Sequence, residues 1–274
     1  MERYFCLKSI LLIMKDEIAQ IMALVAFGNA YLQGKQVSFE KNHPAAFHYD
    51  NIRFVESLPE DLLARKTIIA KNPNEWFRLL KENKVNRLYL SFKSSSSIGL
   101  DDHISSAFVG GGSQWYIIAE KGDKCDIWQT KWQMEFGDLK VYYYLLLKNV
   151  DLPKLPKTTL EQAKKYLAEI LKDMIDFTNV NNLENWVNVF QKAQDLLSTE
   201  DSLLLIQKDF FPNDCFDLEA KQILTASDQA WVFGGMGSWN DVVHVNNYDL
   251  YTRLSANLYD TLCKAMIAAI NSYP

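Results

Sequence analysis

Two short glycine clusters constrain the fold of this chain most strongly, because each runs from a phenylalanine into a tryptophan. The first spans Phe108–Trp115, the second spans Phe233–Trp239 and continues to Asp241, and together they hold six of only 11 glycines. Glycine adopts backbone conformations that are closed to other residues, and it lets the main chain lie close to a neighbour. At each cluster we therefore expect a tight turn beside bulky rings or the wall of a binding site.

The composition is that of an ordinary globular protein, with 48% apolar and 23% charged residues in a chain of 274. Its four cysteines are widely spaced and form no Cys-x-x-Cys pair, which is typical of reduced thiols and predicts a cytoplasmic protein. The formal net charge of −5 opposes attraction to phosphate backbones. We therefore expect no nucleic acid partner.

The apolar run 9–14 lies behind Arg3 and Lys8, as in a secretory signal, but three charged residues at 15–17 end it. The apolar pattern resumes from Ile18 to Leu32 with polar residues inside it. Both stretches fall short of the roughly 20 apolar residues that a membrane-spanning helix needs. We expect an amphipathic or buried helix here and no membrane association.

A second helix is well marked by its end signals. Asn72 is a good N-cap, Pro73 suits the first helical position, and Glu75 stands where a capping-box acid would. The apolar side of this helix continues to about Asn83, where we expect it to end.

Strand patterns dominate the rest of the first half. The candidates have alternating apolar residues or are rich in aromatic and β-branched residues, and they are 37–40, 52–55, 87–93, 115–120, 125–134 and 140–148. Turns at Gly122–Asp123 and Gly137–Asp138 join the last three candidates. We expect an antiparallel meander sheet of at least four strands, packed by helices. In its middle strand one face carries Trp128, Thr130, Trp132 and Met134.

Helices dominate after a segment with two prolines at 151–157, which marks the best boundary in the chain. Thr158 with Glu161 makes a capping box for the first of these helices. The others are expected at Leu183–Leu197, from Asp214 or Asp217 to about Ala226, and at Tyr248–Ile270. The predicted fold class is α+β, with an α/β portion at 1–150 and a helical portion at 151–274 that pack as one globular unit.

The second glycine cluster is the best candidate for a binding site. Flat rings beside a side-chain amide and a carboxylate supply contact area and orienting polar groups, and these are Trp231, Trp239, Asn240 and Asp241. Trp115 joins them if the two clusters meet in space. The competing interpretation is structural, since glycines let a turn pass under bulky rings and Asn or Asp side chains close turns on their own backbone.

Other chemistry is poorly supported. The four histidines, at 43, 48, 103 and 244, have no metal-ligand spacing, and we expect no metal and no cofactor. Cys125 and Cys215 lie beside aspartates, which raise the pKa of a thiol and disfavour a nucleophile. A pair of carboxylates, Asp228 with Asp241 or Glu219, stays open because their separation is unknown.

Three segments resemble a family of uncharacterised bacterial proteins that share a glycine-rich run into Trp, a Trp-rich β segment and a tail similar to Trp-Val-Phe-Gly-Gly-Met-Gly-Ser-Trp-Asn-Asp. In this chain the segments are Gly110–Trp115, Trp128–Trp132 and Trp231–Asp241. The resemblance implies a bacterial cytosolic protein. It implies no activity for these residues.

The charge balance, the seven tryptophans and the missing catalytic motif together favour a noncatalytic cytosolic binding protein. We expect it to recognise another protein through an acidic, aromatic-rich surface, as an immunity or adaptor protein would. The alternative is an enzyme or small-ligand-binding protein with a pocket at the Gly234–Asp241 loop, which leaves a small-molecule ligand open.

Overall fold

The fold is given by a computed structural model that describes residues 16–56, 67–94, 101–106, 112–155, 158–201, 210–234, 237–242 and 245–274. These residues form a mixed α+β fold with a six-stranded sheet and seven α-helices. The strands are β1 Ile52–Glu56, β2 Thr67–Ala70, β3 Arg87–Lys93, β4 Gln114–Lys121, β5 Lys124–Glu135 and β6 Asp138–Asp151. The helices are α1 Asp16–Leu32, α2 Pro73–Glu82, α3 Asp102–Ser105, α4 Leu160–Val180, α5 Glu184–Leu196, α6 Leu218–Gln229 and α7 Tyr248–Asn271.

The sheet is mostly antiparallel, and its strand order is β2-β1-β6-β5-β4-β3. Strands β3 to β6 form a meander, with tight turns at Gly122 and Gly137, whose φ angles are +73° and +86°. The order differs from a simple meander at one edge, because β1 lies parallel to β6, with Phe54 opposite Tyr143. Strand β2, which the sequence pattern does not predict, then pairs antiparallel with β1.

One face of the sheet packs against the helices through an aromatic cluster. Trp76 of α2 stacks on Phe54 with ring centroids 4.5 Å apart, and it meets Trp128 of β5 edge to face at 5.5 Å. Trp128, Thr130 and Trp132 are buried on this face, as their alternation predicts. Met134 is 62% exposed, because it lies near the turn at Gly137 where β5 leaves the core.

Asparagine side chains take the place of a neighbouring strand at three positions. Asn74 accepts a hydrogen bond from the Phe39 N–H (2.9 Å) and donates one to the Phe39 carbonyl (3.1 Å). The strand predicted at 37–40 is therefore wrong, since a side-chain amide satisfies the backbone there and no ladder forms. Asn29 and Asn271 bind Leu88 and Leu90 of β3 in the same way.

Helix ends follow their capping residues closely. Asn72 caps α2 by accepting a bond from the Glu75 N–H, as predicted. The capping box of α4 lies one residue later than expected, on Thr159 and Gln162, because their side chains bond each other's backbone N–H groups. Asp217 rather than Asp214 begins α6.

Helices dominate the second half of the chain, where α4 packs against α5, α6 and α7. The end of α7 reaches back to β3 of the sheet, through Asn271 and through the Arg87 guanidinium, which donates to the Asn271 carbonyl at 2.8 Å. The boundary near residue 150 stays a prediction. None of the helices described here is long and apolar enough to cross a membrane.

Candidate functional site

Trp239 lies in the core of the helical half and is fully buried. Its indole ring meets Trp186 and Phe190 of α5 edge to face, at 5.4 and 5.6 Å, and lies 5.2 Å from Tyr251 of α7. The indole N–H donates to Ser255 Oγ at 2.7 Å, and the Tyr251 hydroxyl donates to the Trp239 carbonyl at 2.6 Å. Burial raises the pKa of Tyr251 to about 12, so that this hydroxyl keeps its proton. Trp239 therefore joins the loop before α7 to helices α5 and α7.

The polar residues around Trp239 close the loop and tie it to α3. The Gly237 N–H donates to the Asp241 carboxylate, and the Ser238 hydroxyl donates to the Gly234 carbonyl at 2.9 Å. The Asn240 amide donates to the His103 carbonyl at 3.0 Å, which ties the loop to α3. Asp241 is exposed and Asn240 half-buried. Asp241 therefore makes the turn-closing bond that the structural interpretation expects, whereas Asn240 bonds a distant carbonyl.

Trp231 and Trp115 are also buried, with 3% and 2% of their surfaces exposed. The Trp231 ring packs against Phe233 and Tyr259, at 5.9 and 5.4 Å, whereas Trp115 on the inner face of β4 packs against Phe92 at 5.6 Å. All three predicted tryptophans thus present their rings to other parts of this chain. Their role in recognition stays a prediction.

The ends of the two glycine clusters come together around α3 and Tyr259. The Ser113 N–H donates to the Tyr259 hydroxyl at 3.1 Å, and the Phe233 ring lies 5.3 Å from the Tyr259 ring. The Gly112 N–H donates to Ser105 Oγ at 3.1 Å. The predicted positions Phe108–Gly111, Gly235 and Met236 lie outside the described residues. The second cluster thus meets the end of the first, although Trp115 itself points elsewhere.

Three titratable groups at this junction have pKa values shifted toward their neutral forms. Burial lowers the pKa of His103, against the opposing pull of Asp101 and Asp102. Burial also raises the pKa of Tyr259 and that of Cys263, one helical turn further along α7. Buried groups of this kind help to fix the loop against α3 and α7.

Three other candidates for chemistry are His43, Cys125 and Cys215. His43 Nδ1 accepts a bond from the Ala45 N–H at 3.0 Å, and its ring packs between phenylalanines. Burial raises the pKa of Cys125, helped by Asp126, and burial raises the pKa of Cys215 to about 12. Within the described ranges, no group of three or more His, Cys, Asp or Glu side chains is placed to hold a metal ion.

A groove between α4 and α7 is a concave feature of the described surface. Its larger part, a cavity of about 500 Å³, is lined by Tyr166, Glu169 and Asp173 of α4 and by Asp260 and Lys264 of α7. Lys264 is paired with Asp260 at 2.6 Å, and the cavity lining as a whole carries three carboxylates and one ammonium group. We call this part the acidic cavity.

A second cavity of about 330 Å³ continues the groove toward the edge of the sheet. Its lining is mainly apolar and includes Phe92 of β3, Leu155, Leu160 at the start of α4, and Ile267 and Ala268 of α7. We call it the apolar cavity. The two cavities adjoin, because Thr158 and Lys264 line both, and together they form the α4–α7 groove.

Sequence reasoning missed this groove, since its walls come from segments about 100 residues apart. The helical stripes of α4 and α7 predict only which faces are buried. The one available signal is Tyr166, an aromatic residue outside the apolar stripe of α4, which is 52% exposed.

No family model, curated protein or solved structure matches this chain.

Proposed function

We propose that this protein is a noncatalytic binding protein that recognises another protein through the α4–α7 groove. The observation that carries the proposal is the groove itself, an open cleft that combines carboxylates with partly exposed aromatic side chains. Aromatic residues are enriched at protein interfaces, where a large ring contributes much contact area at low entropic cost. The groove therefore fits the acidic, aromatic-rich surface that the composition predicts.

The charges of the groove also suit a protein partner. Glu169 lies 3.9 Å from Lys165 in an exposed pair, and Asp173 makes no salt bridge within the described part of the chain. Such solvated carboxylates attract basic side chains and raise the association rate, while adding little to the stability of the chain itself.

The alternative, a small-ligand or catalytic pocket at the Gly234–Asp241 loop, stays a prediction. The Asp241 carboxylate closes the loop, the Asn240 amide ties it to α3, and no residue of the loop lines either cavity described above. A metabolite that raises the melting temperature of the wild-type chain, but not that of an Asp241→Asn variant, would support this alternative.

Site-specific photocrosslinking in the native cells tests the proposal. A benzophenone amino acid replaces Tyr166 in the groove or, as a matched control, Tyr248, which is 61% exposed at the start of the same α7 that lines the groove. We expect a discrete protein adduct from position 166 that is absent at position 248. The same adducts at both positions, or none at position 166, would contradict the proposal.

A further inference from the structure

We propose that the end of the β5–β6 hairpin, residues 134–139, docks into an uncharged apolar pocket on another protein, with the Phe136 ring as its anchor. We call this segment the hairpin tip. The inference goes beyond the proposed function, because no residue of β5 or β6 lines either part of the α4–α7 groove. Three observations support it: the backbone conformation of Phe136, the exposure of its ring, and the arrangement of charges around it.

The backbone of Phe136 adopts a conformation that disfavours its side chain. Phe136 and Gly137 form the two-residue turn between β5 and β6, and their φ angles are +51° and +86°. Positive φ at both positions is the requirement of a type I′ turn, which favours asparagine, aspartate or glycine at the first of them. A residue with a Cβ is strained there. The turn between β4 and β5 has Gly122 at its first position, with a φ angle of +73°, so the same sheet also contains the usual residue choice.

The fold gains no burial from the Phe136 ring in return for this strain. The side chain is 107% exposed, more than any other large apolar side chain in the described ranges. A Cβ on the neighbouring Gly137 would meet no atom within 4 Å, so the turn stands clear of the rest of the chain. Strained residues persist where a function needs them, and this ring has no function within the fold.

The apolar residues and the charges of the hairpin tip lie on opposite faces of the hairpin. Met134 pairs with Leu139, and the next pair toward the turn is Glu135 with Asp138. Successive residues of a strand point to opposite faces, so the Met134–Leu139 pair continues the buried face that carries Trp132. Met134 is 62% exposed, so this apolar face extends beyond the core as far as the turn. It supplies the apolar surface next to the anchor.

The polar groups on the other face have partners within the chain. Glu135 accepts a hydrogen bond from the Tyr142 hydroxyl at 2.7 Å, and Asp138 pairs with Lys140 at 3.2 Å. Lys140 also donates to the Asn51 side-chain oxygen at 3.0 Å. Docking on the apolar face leaves these bonds in place. The hairpin tip therefore fits a pocket without charged groups.

Charge favours a protein pocket over a lipid surface as the occupant. Apolar anchors bind anionic membranes together with basic side chains. In the segment 131–140 two lysines are balanced by one glutamate and one aspartate, and the whole chain has a formal net charge of −5. A single large ring in a desolvated pocket is a common anchor of protein interfaces. The short turn between two long strands presents the ring with little conformational freedom to lose on binding.

Urea unfolding of Phe136→Asn tests the strain without any partner. Asparagine suits the left-handed position, and the exposed ring gives up no packing within the chain. The variant should therefore raise the ratio of folded to unfolded chain by about fivefold or more. The control Val180→Asn removes a side chain that is 69% exposed at the end of α4, and it should leave the ratio within about threefold. An unchanged or lower ratio in Phe136→Asn would overturn the inference.

Photocrosslinking in the native cells tests the occupant. A benzophenone amino acid replaces Phe136 or, as the matched control, Val180. We expect a discrete adduct with a different protein at position 136 that is absent at position 180. That protein, once purified, should bind the full chain with a Kd that rises at least about tenfold in Phe136→Asn, rises less in Phe136→Leu, and stays within about twofold in Val180→Asn. Because the pocket is uncharged, the Kd should change less than about twofold between about 50 and about 500 mM salt.

The competing occupants give different results. Sedimentation with vesicles of phosphatidylcholine and phosphatidylglycerol in equal parts should leave the wild-type chain in the supernatant. Cosedimentation of the wild type but not of Phe136→Asn would overturn the protein pocket. An adduct with a second copy of this chain, the absence of an adduct at position 136, or a Kd unchanged in Phe136→Asn would overturn it as well. The proposed function has its own crosslinking position at 166, so failure at the hairpin tip leaves it standing.

Discussion

Gly112 is the residue at which glycine is most clearly required. Its φ angle is +84°, in the left-handed region, and a Cβ there would lie 2.8 Å from the Tyr259 hydroxyl and 3.2 Å from the Ser106 Cα. Gly122, in the turn between β4 and β5, has a φ angle of +73° and open space around it. The two positions share the same backbone demand and differ in packing.

Gly112→Ala and Gly122→Ala therefore separate strain from crowding. Gly122→Ala should lower the free energy of unfolding by about 1 kcal/mol, the cost of a left-handed alanine. Gly112→Ala should lower it by about 1–3 kcal/mol more, because the added methyl group crowds Tyr259 and Ser106. Urea unfolding measures both. Equal losses of unfolding free energy in the two variants would show that the junction of the two glycine clusters accommodates the added methyl group without crowding.

His103 makes stability depend on pH. Burial lowers its pKa below the usual 6.5, so the unfolded chain takes up this proton at a higher pH than the folded chain. The free energy of unfolding should therefore fall as the pH is lowered from about 6.5 toward the lower pKa of the folded chain. The variant His103→Gln should show a shallower decline in urea unfolding over the same range. Parallel curves for the two chains would remove His103 as a cause.

At the scale of elements, asparagines on helices hold the edge of β3. Asn29 is 3% exposed, whereas Asn271 is half-buried and water can replace it. Asn29→Leu, close to isosteric, strips the Leu88 N–H and C=O of their partners and should cost about 2–4 kcal/mol. Asn271→Leu should cost only about 1 kcal/mol. Chemical unfolding of both variants checks this order, and a larger loss for Asn271→Leu would contradict it.

Local signals predicted the elements that are local in sequence. The meander needs only strands joined by Gly122 and Gly137, and α2 needs only the cap at Asn72. The parallel pairing of β1 with β6 could not be predicted, because it joins residues about 90 apart that no single turn connects. The segment 37–40 was misassigned because a distant side chain, Asn74, serves as its partner.

At the scale of the whole molecule, contacts between segments that are distant in sequence also limit how much of the candidate site can be predicted. Sequence reasoning found the segment at 231–241 because glycine and tryptophan are conspicuous there, but composition does not tell a buried ring from an exposed one. The α4–α7 groove depends on how two helices and an edge strand pack, and no short motif records that arrangement.

The contacts between α7 and β3 predict cooperative unfolding. Arg87 and Leu90 of the sheet bind the end of α7, and α1 packs against β3 from the same side. Thermal unfolding followed by near-ultraviolet and far-ultraviolet circular dichroism should give coincident transitions. Separate transitions for the aromatic and the helical signals would show that the portions 1–150 and 151–274 unfold independently.

The role of Trp239 bears most directly on whether the second glycine segment is architecture or binding surface. Its ring is fully buried among Trp186, Phe190 and Tyr251, and its indole N–H is bonded to Ser255. The decisive measurement is the free energy of unfolding of Trp239→Ala in urea, with the half-buried Trp186→Ala as the comparison. We expect Trp239→Ala to lose about 3–5 kcal/mol, and clearly more than Trp186→Ala. A Trp239→Ala chain as stable as the wild type would contradict the architectural role and favour the interpretation of this segment as a binding surface.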